Sequence, residues 1–157
     1  MTEYFKQLTS EEYERLKDAI PLITILVAGA DGKFEKEELN WAEKIASIRS
    51  YKMSDDLVGF YKDVGINFHE KLEDYVDAFP KNVDDRNDII SDRLEDLNDI
   101  LPKLDPRVGA HLYDSYLSFA KHVASASGGF WGFFSIGPKE ERMMKLPMIN
   151  PIFFEED

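Results

Sequence analysis

The chain contains no cysteine, which excludes disulfides, thiolate metal sites and cysteine nucleophiles and fits a cytoplasmic location. Positive charge is also scarce: 19 Lys and Arg face 31 Asp and Glu, a net charge of −12. Nucleic-acid phosphates and anionic membranes need clustered Lys and Arg, so this balance argues against both as partners. It suits cations, basic partners or simple solubility. Long apolar runs are missing too. The longest, Ile20 to Ala30, is interrupted by Pro21 and Thr24 and is too short to span a bilayer. No N-terminal targeting segment is visible. The three histidines offer little for chemistry: His111 and His122 on one helix would stand about 16 Å apart along its axis, and His69 pairs with Glu73 one turn away. A Gly-rich phosphate loop, zinc-ligand spacing and a nucleophile elbow are all lacking, and the sequence reads as that of a non-enzyme.

What is present is enough to fold. The 157 residues are 43% hydrophobic and 13% aromatic, and a single domain of this size buries about 68–70% of its extended-chain surface. Helical periodicity dominates. Thr9 and Glu12 have capping-box spacing and open a first helix with Tyr13, Leu16, Ile20, Ile23 and Val27 on one face, which Pro21 should kink or divide and Gly32 should stop. A second helix is predicted over Glu35–Arg49, with its early glutamates at the positive end and Arg49 suited to the negative end. Ser54 or Asp55 starts a third that runs to Phe79 and bends near Gly65. Asp84 or Asp85 starts a fourth with an apolar stripe from Ile90 through Leu94, Leu97 and Leu101 to Leu104. Its acids Asp88, Asp92, Glu95 and Asp99 read as a solvated face. Asp105-Pro106 opens a fifth helix that ends at Gly128-Gly129, and Pro138 opens a short sixth to about Leu146. No segment alternates like a strand.

A short phrase recurs. Val27-Ala28-Gly29-Ala30-Asp31-Gly32 leads to Phe34 and Glu38, and Val123-Ala124-Ser125-Ala126-Ser127-Gly128 leads, after a six-residue insertion, to Ile136 and Glu140. Two such helix-loop-helix units predict an all-α, single-domain helical bundle with a pseudo-twofold relation between the hairpins. The domain is assigned residues 1–157, with its core over about 10–150 and an acidic, aromatic tail over 151–157. In the repeat His122 falls where Leu26 stands, which makes it a hydrogen-bonded histidine at the core margin.

Asp31, Gly32, Phe34 and Glu38 also match the fifth, sixth, eighth and twelfth positions of a calcium-binding EF-hand loop. Val27 and Gly29 fall at the first and third, where oxygen ligands are required, so the loop is not an EF-hand. A pair of carboxylates beside Glu35 and Glu37 remains, open to reading as a cation edge or as acids set against helix dipoles.

With Ala30-Asp31-Gly32-Lys33-Phe34 and Glu38, and the later Ala126-Ser127-Gly128-Gly129-Phe130 and Ile136-Gly137-Pro138-Lys139-Glu140-Glu141, the chain resembles the TerB-like tellurite-resistance family, which includes the N-terminal region of DjlA-type co-chaperones. The resemblance spans roughly residues 10–150. It implies a noncatalytic stress-response module whose two motifs gather acids around a divalent cation: Asp31, Glu38 and Glu140, with Glu35 and Glu141 as weaker additions. Ser127 stands where the second motif would carry an aspartate. Carboxylate ligands favour Ca²⁺, Mg²⁺ or Mn²⁺. The alternative is a metal-independent adaptor for an unidentified protein partner, using Phe130, Trp131, Phe133 and Phe134. These four aromatics in five residues are expected to fold back over the bundle as a plug or to serve as an anchor.

Overall fold

The computed structural model describes residues 1–29, 36–50, 52–129 and 138–155, excepting the side chains of 36–38, 41, 126–129 and 138–140. Six α-helices account for most of them: α1 Ser10–Ala28, α2 Lys36–Arg49, α3 Asp55–Ala78, α4 Val83–Glu95, α5 Pro106–Gly129 and α6 Pro138–Met144. Among the described residues there is no strand. No helix is long and apolar enough to cross a membrane among these residues.

Helix α1 starts as its sequence predicts. The Thr9 hydroxyl accepts from the Glu12 amide at 3.1 Å, and the Glu12 carboxylate accepts from the Thr9 amide at 2.9 Å. The two first orphan donors are thereby satisfied reciprocally. Pro21 does not divide the helix, which runs unbroken to Ala28. Every residue from Ala19 to Ala28 is buried. A helix that is apolar on all sides is a central one, and α1 accordingly packs against α2, α3, α4, α5 and α6.

The bend expected near Gly65 in α3 falls two residues later, at Asn67, which has non-helical φ −134° and ψ 22°. The fourth helix differs more. Its cap is Asn82, whose side-chain oxygen accepts from the Asp85 amide at 3.0 Å, rather than Asp84 or Asp85. It also ends at Glu95, and the apolar stripe continues through two 3-10 turns, Asp96–Asp99 and Leu101–Lys103. Pro102 lies in the second of these turns, where it cannot donate to an α-helical ladder. Leu97, Ile100, Leu101 and Leu104 are buried all the same; Leu97 with Ile100 and Leu101 with Leu104 are three apart, the spacing that a 3-10 turn brings onto one face. Asp88, Asp92, Glu95 and Asp99 are exposed as expected.

Cross-helix pairs fix the directions. Tyr13 meets Asp63 at 2.5 Å and Asp18 meets Lys71 at 3.4 Å, so α1 and α3 run parallel. Asp56 meets His111 at 2.6 Å and Tyr61 meets Ser115 at 3.1 Å, so α5 runs the same way. Helices α2 and α4 return between them. The buried core also takes in Phe5 and Leu8, ahead of α1. Phe5 stacks on Phe60 with ring centroids 5.4 Å apart. At the other end, the Asn98 amide clamps the C-terminal segment by donating to the Met148 carbonyl at 2.9 Å and accepting from the Asn150 amide at 2.8 Å. Phe153 beyond it is 86% exposed.

Candidate functional site

The two connections that lead to Glu38 and Glu140 leave from one end of the bundle. The Tyr116 hydroxyl of α5 donates to the Leu16 carbonyl of α1 at 2.7 Å, which sets the register of these two parallel helices. From there α1 runs to Ala28 and α5 to Gly129, nearly equal lengths of about 18 and 20 Å at 1.5 Å per residue. The first connection departs from Gly29, whose amide donates to the Ile25 carbonyl at 2.9 Å. The Gly29 carbonyl in turn accepts from the guanidinium of Arg86, a buried residue of α4. Arg86 thus pins the exit of α1, a role its place in an acid-rich helix did not signal. After the connections, Glu38 and Glu140 each stand third in their helix, α2 and α6.

Of the residues the sequence singles out, Asp31, Glu35, Phe130, Trp131, Phe133 and Phe134 lie outside the described residues, as do the side chains of Glu38 and Glu140. Glu141 is exposed on α6. Among the described residues no three His, Asp or Glu side chains are grouped to hold a metal.

Three polar clusters stand out among the described residues. Arg49, expected only to complement a helix end, is buried at 5% exposure. It donates to the Ser115 carbonyl at 2.9 Å, the Ser118 hydroxyl at 2.9 Å and the Tyr61 hydroxyl at 3.4 Å. It also lies 3.0 Å from His122 Nδ1. Arg49 can only donate, so Nδ1 must accept and the ring proton sits on Nε2. Burial, then the charges of Arg49 and Lys121, push the His122 pKa down. The Arg49 charge also lies over the Tyr61 and Phe119 rings, 5.5 Å from each centroid. His122 has the hydrogen-bond partner expected of it, although the residue itself is exposed.

The second cluster joins Ser54, Asp56 and His111. Ser54 donates to one oxygen of the Asp56 carboxylate at 2.5 Å, and His111 Nδ1 meets the other at 2.6 Å. This is not an activated nucleophile, because the hydroxyl bonds the acid and not the imidazole. In the third, exposed His69 bridges Glu73, the expected partner, at 2.9 Å and Glu43 of α2 at 3.1 Å. The Glu43 hydrogen bond, then the Glu73 charge, raise its pKa. No protein-family profile, curated protein or solved structure matches the chain.

Proposed function

We propose that the protein is a noncatalytic, divalent-cation-responsive module of the TerB-like kind, acting in a stress response related to tellurite resistance. Asp31 from the first connection, Glu38 at the start of α2 and Glu140 at the start of α6 are the principal ligands, with Glu35 and Glu141 in support. The observation that carries this reading is the parallel run of α1 and α5 in the Tyr116–Leu16 register, which delivers both connections to one end of the bundle. The matching third positions of Glu38 and Glu140 in α2 and α6 support the pseudo-twofold relation of the two hairpins. Oxygen ligands at that end suit Ca²⁺, Mg²⁺ or Mn²⁺.

Thermal melting of chelator-treated protein with and without each ion tests the proposal. A hundredfold excess over Kd stabilises the folded state by about 2.7 kcal/mol, or roughly 5–10 °C in a domain of this size. Glu38→Gln should lose most of that shift. An ion-independent melting temperature in both proteins would leave the acids as dipole partners only, and the adaptor function of Phe130–Phe134 would take precedence.

A further inference from the structure

Beyond α6 the chain is anchored and then turns an aromatic pair toward solvent. Leu146 and Ile149 are buried, and the Asn98 side chain holds both the Met148 carbonyl and the Asn150 amide. Pro151 fixes its own φ and keeps Asn150 out of the helical region. Ile152 still packs against the core. The next residue, Phe153, is 86% exposed, the most of any large hydrophobic among the described residues, and Phe154 is 45% exposed. Residues 151–155 belong to no helix or strand. Among the described residues, the main-chain groups of Ile152, Phe153, Phe154 and Glu155 make no hydrogen bond, and the Glu155 carboxylate meets no cation. Glu156 and Asp157 follow in the sequence.

We infer that residues 151–155 are a recognition strand for a partner protein that offers an exposed sheet edge, an apolar pocket for the Phe153 ring, and Lys or Arg at the rim of that pocket. Each part of the partner answers one observation. Main-chain donors and acceptors left unpaired are what strand addition uses, with side-chain pockets supplying specificity. A ring that projects from an anchored base has less freedom to lose on docking than one on a loose chain. Glu155, Glu156 and Asp157 beside it match a basic rim and oppose an acidic one. The same acids, in a chain of net charge −12, disfavour a second copy of the chain and an anionic membrane. The inference is independent of the proposed cation site.

The probe is the full chain with the photo-crosslinking residue p-benzoylphenylalanine in place of Phe153, irradiated in an extract of the cells that naturally express it. A matched chain carries the same group in place of Ile66, which is 80% exposed on α3. The expected result is a protein adduct from position 153 that is missing from position 66. The captured protein, once purified, should bind the unmodified chain in calorimetric titration. Phe153→Ser should weaken that binding by about tenfold or more, and Glu155→Lys with Glu156→Lys by a similar factor, whereas Ile66→Ser should change it by less than about threefold. Phe154→Pro, which removes a main-chain donor, should weaken it more than Phe154→Ala. Phe153 and Glu155 are exposed, so their variants should keep the parent melting curve, which separates lost binding from lost folding. No adduct particular to position 153, adducts only with a second copy of the chain or with lipid, equal binding by Phe153→Ser or by the lysine pair, or equal effects of Phe154→Pro and Phe154→Ala would overturn the inference.

Discussion

The Tyr116 hydroxyl donates to the Leu16 carbonyl at 2.7 Å across 100 positions of sequence, with both groups buried. This bond joins the central helix to α5 and sets the register of the two helices whose ends lead on to Glu38 and Glu140. Tyr116→Phe removes the hydroxyl and keeps the ring, so it should cost about 0.5–1.5 kcal/mol, the net worth of one buried neutral hydrogen bond. Chemical denaturation with an unchanged m-value would register it as a pure stability loss.

Arg49 should tolerate no substitution that keeps only its charge. A lysine cannot reproduce a planar fork that reaches Ser115, Ser118, Tyr61 and His122 at once, nor stack between two rings. Arg49→Lys is expected to destabilise the fold by at least about 1.5 kcal/mol, the lower range for a hydrogen bond to a charged group. A melting temperature within error of the parent protein would show that the cluster is not a structural tie.

The two perturbed histidines should titrate on opposite sides of the ordinary value of 6.5, His122 below it and His69 above it. The signs follow from linkage. His122 takes up a proton more readily in the unfolded chain, so its contribution is intact above 6.5 and falls as pH drops toward its folded value. His69 gains carboxylate partners on folding, so its contribution is full below 6.5 and is lost as pH rises through its folded value. Imidazole ring resonances followed by NMR give both midpoints, and reversal of their order would contradict the assigned environments.

Leu146 follows α6 with φ 47° yet is fully buried. A left-handed conformation costs a non-glycine residue about 1–2 kcal/mol, while truncating a buried leucine to alanine costs about 2–5 kcal/mol. Leu146→Ala loses the packing and keeps the strain; Leu146→Gly loses slightly more packing and relieves the strain. The glycine variant should therefore be no less stable than the alanine variant, the reverse of the order seen within helices. Paired denaturation curves decide it.

Local signals carried much of the fold. The Thr9–Glu12 box, the Asp105-Pro106 start and the periodic apolar positions of α1 each depend on residues within a turn or two, and each appears where expected. Long-range geometry was not legible. Arg49 and Arg86 look like ordinary helix-surface cations until packing buries them against α5 and the end of α1. Asn98 holds the C-terminal segment through a side-chain amide that no short motif announces. The fourth helix ends before its apolar stripe does because a 3-10 turn and an α-helix place apolar residues at overlapping spacings. For the candidate site, the sequence supplied the acids and the resemblance, while the helix directions supplied the common end of the bundle.

Calorimetric titration of chelator-stripped protein with Ca²⁺, Mg²⁺ and Mn²⁺, repeated on Glu38→Gln and on Glu140→Gln, tests the cation module most directly. The account predicts saturable binding of at least one ion at one site per chain. Because the two glutamates come from different helices, α2 and α6, each single variant should weaken it by about tenfold or more, the equivalent of roughly 1.4 kcal/mol. Absence of binding by all three ions, or binding that neither variant changes, would contradict it.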